Sequence, residues 1–417
     1  MKLLNKITNV YLYFILIIFV LVMDNSEYTN ILNFKWDIYV YGSVIYIIIM
    51  LIITLLKIIN KSIDIKQISL NKVYIFALIY LMVIIISTLL SPYKNYNLLI
   101  GSARMQGLIV NTIYVISFII VSLTYKFNKN ILYVLLLPSI IMGIIIIIEW
   151  IFKTNIVCGT DYCYGTIGNV DTVGLLYTMY LTIGLSLFIF SKLNKLFLSL
   201  SIIFSLLVML IINTIGMYVT IFIMFIIMVI YKCLKNKYSR KITFIMLSIF
   251  FVILFLIIYF VNFKNGLLYE LHSMLHGDIY ESFGSYRIYL WKNTIMMIDK
   301  KYILLGTGID TYYISFMKKY LSDLISRGYV SIYDSACNIY LTMIINIGIC
   351  GLASFMTFVG SIINLIRTRK NEISICLLLG IISYLIQGLY NIEVVLVTPI
   401  FYILLSIYIN SIKYIEK

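Results

Sequence analysis

Residues 131–151 read ILYVLLLPSIIMGIIIIIEWI. A stretch this long and this apolar, with a single charge at Glu149 near its end, has the length at which a helix crosses a bilayer, about 20 residues. Comparable runs recur along the whole chain, near 7–23, 38–56, 73–90, 107–123, 172–190, 196–212, 215–231, 241–262, 338–365, 373–389 and 394–412. The predicted fold is therefore all-α: a single membrane domain over 1–417 with twelve transmembrane helices. Of the 417 residues, 62% are hydrophobic and 12% charged, against about a quarter charged in an ordinary soluble chain. That excludes a soluble globule, a disordered chain, a disulfide-rich secreted domain and a single-anchor receptor.

The net charge of +15 raises the question of a nucleic-acid partner, and the placement of the charges answers it. With the N-terminus inside and the spans alternating, every inner segment is basic. Lys2 and Lys6 precede the first span, Lys57, Lys61, Lys66 and Lys72 follow the second, and Lys232, Lys235, Lys237, Arg240 and Lys241 follow the eighth. This is the positive-inside pattern of short loops, so the excess charge reports topology and faces an anionic leaflet. Both termini are expected in the cytoplasm and no nucleic-acid partner is expected. The first run lacks a small-residue cleavage site before Asp24, so it reads as a retained helix.

One outer segment breaks the short-loop pattern, residues 262–336, and a loop of that length is usually functional. Between Tyr286 and Ile298, apolar Ile288, Trp291, Ile295 and Ile298 recur at helical spacing. They predict an amphipathic helix lying on the membrane or on the bundle. GTGID at 306–310 ends it, and 311–325 reads as a second helix.

Chemistry-bearing residues are few. His272 and His276 stand i, i+4 without the third ligand and base of an HExxH site, so no metal is expected. Cys158 and Cys163 in CGTDYC are either a small disulfide or two free thiols. Glu149 either lines a cavity or snorkels to the outer interface. GTIGNVDTVG at 165–174 is either an anion-receiving helix start or a tight turn. Arg104 in GSARMQG and Arg287 in GSYRIYLW both lie on the outer side. Each offers a planar donor fork suited to phosphate, and each is alternatively a plain surface charge.

Taken in order, these segments resemble the O-antigen ligase and polymerase family of polytopic glycosyltransferases, over about 90–390. GSARMQG at 101–107 is similar to the family's arginine-bearing segment. GTIGNVDTVG resembles its Gly-Asn-Pro-Asn-x-x-Gly turn, with Gly168, Asn169 and Gly174 kept and Val170 in place of proline. GSYRIYLWKNTIMMI…LLGTGIDTY at 284–312 aligns Arg287, Trp291, Gly306 and Gly308. DSACNIYLTMIINIGICGLASF at 334–355 aligns Asn338, Tyr340, Leu341, Gly348 and Gly351.

The resemblance implies a plasma-membrane transferase without a cofactor. It would take a glycan from an undecaprenyl-diphosphate carrier and pass it, at the outer face, to a hydroxyl of a glycan, lipid or envelope acceptor. By position, Arg104 and Arg287 would hold the leaving diphosphate, with Asn169, Trp291, Cys337, Asn338 and Tyr340 around the substrates. Two departures stand out. The family's His-Asn-acidic sequence is here Cys337-Asn338-Ile339, and the arginine often found before the eighth span is absent from NTIGMY at 213–218. A thiol of pKa about 8.5 suits a sugar hydroxyl poorly as base, which turns attention to Asp334 and Asp310. The competing readings are a lipid-linked glycan flippase or other transporter, and a non-catalytic envelope-assembly partner.

Overall fold

The computed structural model describes residues 2–23, 28–60, 72–153, 165–235, 252–326, 333–368 and 371–414. Cys158 and Cys163 lie outside them. Among the described residues all regular structure is helical. The helices are α1 (Lys2–Leu21), α2 (Tyr28–Ile59), α3 (Lys72–Leu89), α4 (Leu108–Thr124), α5 (Asn130–Phe152), α6 (Val170–Phe190), α7 (Lys195–Ile212) and α8 (Ile215–Lys235). After a helical stretch at 252–260 come α9 (Gly266–Leu275), α10 (Phe283–Met297), α11 (Tyr312–Ser326), α12 (Ile339–Asn364), α13 (Glu372–Gln387) and α14 (Thr398–Lys413).

Among the described residues, eight helices are long and apolar enough to cross a membrane: α1 to α3, α5 to α8, and α12. The other four of the expected twelve are not among these eight. The predicted span at 241–262 is described only from 252 onward, and α4, α13 and α14 are shorter than that length criterion. Interior packing accounts for short helices here. Every residue of α14 from Thr398 to Ile412 is buried, so its ends meet protein, not lipid. By contrast α2 leaves Ile45, Ile48, Leu51, Ile52, Leu55 and Leu56 exposed. A bare stripe of that kind needs an apolar surrounding.

Around α14 and α6, α13 packs on α6, α12 on α3, and α5 and α6 on α7. At one end, Lys126 N–H donates to Asn5 (2.6 Å) and the rings of Phe127 and Tyr414 meet at 5.2 Å, so the segments around residues 5, 126 and 414 sit together. Segments 98–107, 165–171, 284–310, 334–338 and 388–393 gather elsewhere through the contacts of the next subsection.

The segment 262–336 builds a second, smaller core together with the start of α12. Tyr289, Leu290, Tyr312, Phe316, Leu324, Ala336 and Ile345 are buried together. Each fully buried Leu or Phe contributes roughly 1.5–3 kcal/mol, as an upper bound. The buried face of α10 is thus Tyr289, Leu290, Asn293 and Thr294. Of the predicted stripe, Trp291 and Ile298 pack against this core at its margin, while Ile295 is 56% exposed. The helix also begins one residue later than Tyr286, because Gly284, Ser285 and Tyr286 form a left-handed turn. Periodicity found the helix, and the partner core is centred on a different face.

Helix α12 is interrupted at Gly348 (φ 71°, ψ −177°). The strap 303–308 fills the break. Thr307 and Gly308 N–H donate to the Ile345 and Asn346 carbonyls at 2.8 Å, and Ile349 and Cys350 N–H donate to the Ile303 and Leu304 carbonyls at 2.9 and 3.1 Å. Non-helical backbone at that depth is stable only when its polar groups are paired within protein. Two glycines permit the approach. A Cβ on Gly306 would stand 2.4 Å from the Asn346 backbone, and one on Gly348 would stand 2.2 Å from the Leu304 carbonyl oxygen.

Candidate functional site

The segment GSARMQG is wrapped around one carboxylate. Asp310 Oδ2 accepts the backbone N–H groups of Ala103 (3.2 Å), Arg104 (3.1 Å) and Gln106 (3.4 Å). Ser102 Oγ donates to the Asp310 carbonyl. Gly101 (φ 116°) is required here, because a Cβ would meet Asp310 Oδ2 at 2.3 Å. Burial pushes the Asp310 carboxyl up to about 6, against the pull of the three amides. Asp310 therefore shapes the loop that carries Arg104, and its Oδ2 is already committed.

The loop aims Arg104 at Asp334. Nη2 donates to Oδ1 at 2.7 Å, a charge-assisted hydrogen bond, and Nε lies 2.6 Å from Oδ2 as an ion pair. Arg287 is held differently. Its Nη1 donates to the Gly284 carbonyl (2.8 Å) across the left-handed turn, its Nε to the Tyr390 carbonyl (3.2 Å), and its Nη2 reaches Asp171 Oδ2 at 3.3 Å. Asn391 Nδ2 donates to the Asp171 carbonyl at 2.6 Å, which joins the start of α6 to the 388–393 loop.

Cys337 is within electrostatic reach of both guanidinium groups and of Asp171. Burial raises its thiol above the ordinary value, Arg287 and Arg104 pull it back, and Asp171 adds to the rise. The thiol is neutral near pH 7. The backbone around it is unusual: Met105, Ser285, Tyr286, Asp310 and Cys337 all have φ between 47° and 66°. Non-glycine residues in that region cluster where surroundings over-determine a functional geometry.

The other predicted substrate residues turn their polar atoms to backbone. Asn169 Oδ1 caps α6 by accepting Thr172 N–H at 3.0 Å. Asn338 Oδ1 caps α12 by accepting Leu341 N–H at 3.0 Å. Tyr340 donates to the Leu385 carbonyl. Trp291 Nε1 donates to the Ala336 carbonyl at 3.1 Å, tying α10 to the loop before Cys337. These four fix the loops that present the arginines. Glu149 neither snorkels nor stands free: it is 1% exposed and accepts Gly165 N–H at 2.9 Å.

Sequence reasoning missed Asp171 as the counter-ion of Arg287, and it missed Glu393. A cavity of about 40 Å³, room for about one water, is bounded by Arg104, Gln106, Asp310, Asp334, Asn346 and Glu393 together with apolar Ile309, Ile339, Met343 and Ile347. Burial and the nearby Asp310 carboxylate raise the Glu393 carboxyl to about 7. The signal was available: Glu393 is the one charge in NIEVVLVTP (391–399), and ionisable groups beside spans tend to face the protein interior. Among the described residues no cluster of three or more His, Cys, Asp or Glu has the spacing to hold a metal.

Residues 199–356 match the model of the O-antigen ligase family. The apolar helices above are those of a multi-pass membrane protein, and over 199–356 the chain is similar to O-antigen ligases. The matched segment holds Arg287, Asp310, Asp334 and Cys337, and Arg104, Asn169 and Glu393 reach the same site from outside it. No curated protein matches the chain.

Proposed function

We propose that the protein transfers a glycan from an undecaprenyl-diphosphate carrier to an acceptor hydroxyl at the outer face of the plasma membrane. The observation that carries this is that Arg104 and Arg287, distant in sequence, both come within electrostatic reach of Cys337, each paired with an aspartate. In the transfer, the acceptor oxygen bonds to the anomeric carbon. The carbon–oxygen bond to the diphosphate breaks, its electron pair leaves on the diphosphate, and the hydroxyl proton passes to a carboxylate. Charge grows on the leaving diphosphate, and preorganised donors aimed there lower the barrier.

Both guanidinium groups are already matched to carboxylates, Asp334 and Asp171. The diphosphate would replace these counter-ions. Asp334, released beside the site, becomes the group that accepts the proton, a role the neutral Cys337 thiol fills poorly. Asp310 stays the anchor of the Arg104 loop.

A transporter reading draws on the break in α12, since broken helices are common in transporters. Here the strap 303–308 takes up the freed backbone groups, which favours a fixed outer site. Lipid mass spectrometry on a deletion strain tests the proposal. Carrier-linked glycan should accumulate, wild type should clear it, and Arg287→Ala should not, at equal protein level. An unchanged carrier pool in the deletion strain would sink the transferase reading.

A further inference from the structure

A groove of about 630 Å³ lies on the far side of the 303–310 strap from the arginines, within the range of about 300–1,000 Å³ usual for small-molecule sites. Thr307, Ile344 and Ile345 line it, while the next residues along the same two segments, Ile309, Asp310, Asn346 and Ile347, line the cavity beside Arg104. One turn of α12 and one strap thus separate the two spaces.

The groove is cationic. Lys300, Lys318 and Lys319 line it against one acid, Asp299, whose Oδ1 accepts Lys301 N–H at 2.9 Å. Lys318 Nζ rests 6.0 Å from the Tyr93 ring centroid, and Lys319 Nζ donates to the Met296 carbonyl, a neutral acceptor, at 2.6 Å. A carboxylate or phosphate would compete well for such ammonium groups, because charge-assisted hydrogen bonds are the stronger kind. Tyr93 and Tyr302 add amphipathic ring faces to the wall, and Thr307 and Ser315 add hydroxyls.

We propose that the groove lined by Tyr93, Lys300, Tyr302, Thr307, Lys318 and Lys319 binds an acidic saccharide. Its carboxylate or phosphate sits among the lysines, and its ring lies against a tyrosine. On the transferase reading, on which this assignment of purpose rests, the groove holds a sugar of the glycan chain a few residues from the bond being made. It selects acidic repeat units over neutral ones.

Binding can be measured without transfer. The full-length protein in phosphatidylcholine nanodiscs is titrated with tri-galacturonate and, separately, with maltotriose. Tri-galacturonate should bind at least about tenfold more tightly, and should weaken at high salt. Changing Lys300, Lys318 and Lys319 together to Gln should reduce its affinity at least about tenfold without altering thermal stability or elution. All three are exposed, so folding should survive. Equal binding of the two sugars, or tri-galacturonate binding indifferent to the triple change, overturns the proposal. So does lysine-dependent binding of phosphatidylglycerol with none of tri-galacturonate, which would give the groove to a lipid headgroup. Arg287→Ala should keep tri-galacturonate binding while losing transfer. Intact binding in a protein that shows no transfer would defeat the transferase reading and leave this site standing.

Discussion

Arg104 and Arg287 both act on the Cys337 thiol but are held by opposite means. Arg104 rides on a loop folded around the buried Asp310 carboxylate, and its head is held to Asp334 by one hydrogen bond and a close ion pair. Arg287 follows a left-handed turn, is steadied by two backbone carbonyls, and touches Asp171 at one longer contact. Asp171 is also the more exposed carboxylate, at 40% against 26% for Asp334. Carbonyl dipoles position a guanidinium without neutralising it, whereas a paired carboxylate does both. In the proposed transfer, Arg287 is accordingly the first to meet the incoming diphosphate, and Arg104 exchanges its partner second, which frees Asp334.

The largest effect falls on the arginines themselves. Arg287→Ala should lower transfer by about 10²–10³-fold, the usual loss for one donor to a developing anion, with protein level unchanged in membranes. Arg287→Lys should recover part of it, since a point charge remains but the carbonyl-bound fork does not. Transfer within a few-fold of wild type in Arg287→Ala would break the comparison outright.

The next effect separates the two counter-ions. Asp334→Asn should cost about 10²-fold, the lower end of what a positioned base contributes, because it removes the proton acceptor. Asp171→Asn should change transfer only a few-fold. Equal losses in both, measured as rates of carrier-linked glycan consumption, would mean that the two aspartates are interchangeable counter-ions and that the base lies elsewhere.

How much of this was legible in the sequence follows from the kind of signal each feature leaves. The apolar runs announced a helical membrane protein, because helix length in lipid is set by one dimension. The two arginines were found because each stands in a patterned outer segment. Their partners were not. Asp171 and Glu393 leave no periodicity, and which carboxylate meets which guanidinium is settled by loops more than 100 residues apart. Asp310 was noticed as a candidate base, yet only the fold reveals that its Oδ2 gathers three amides. The lengths of individual spans are less legible: α14 is shielded by neighbours along its length, and a shielded helix need not match the bilayer.

Asp310 gives a stability test of the same comparison. Asp310→Asn keeps the shape but replaces a charged acceptor with a neutral one and an added donor. It should cost about 1–3 kcal/mol, read as a lower melting temperature in detergent. Nothing equivalent anchors Arg287, so Gly284→Ala, at φ 61° with no Cβ contact closer than 3.5 Å, should cost less.

Glu393 predicts a pH dependence. Its carboxyl is raised by burial from 4.5 to about 7, so the charged form is the disfavoured one in the folded protein. The stability this lends is full below pH 4.5 and is lost as pH rises through about 7. Glu393→Gln should match wild type at pH 4.5 and melt higher than wild type at pH 8. A variant equally displaced at both pH values would assign the effect to packing.

The smallest effect concerns Cys337. Its thiol reacts as thiolate, and burial holds it above its ordinary value while both arginines pull it down. Iodoacetamide should therefore label it slowly at pH 7 and faster as pH rises. Inorganic pyrophosphate bound at the arginines would cancel their pull, push the thiol higher still, and slow the labelling further. Sulfate at equal ionic strength controls for screening. Protection by pyrophosphate should survive in Asp334→Asn, where the proton acceptor is gone but the clamp remains, and should fail in Arg287→Ala. Protection that persists in Arg287→Ala would place the anion on Arg104 alone and reverse the order of engagement inferred from the two architectures.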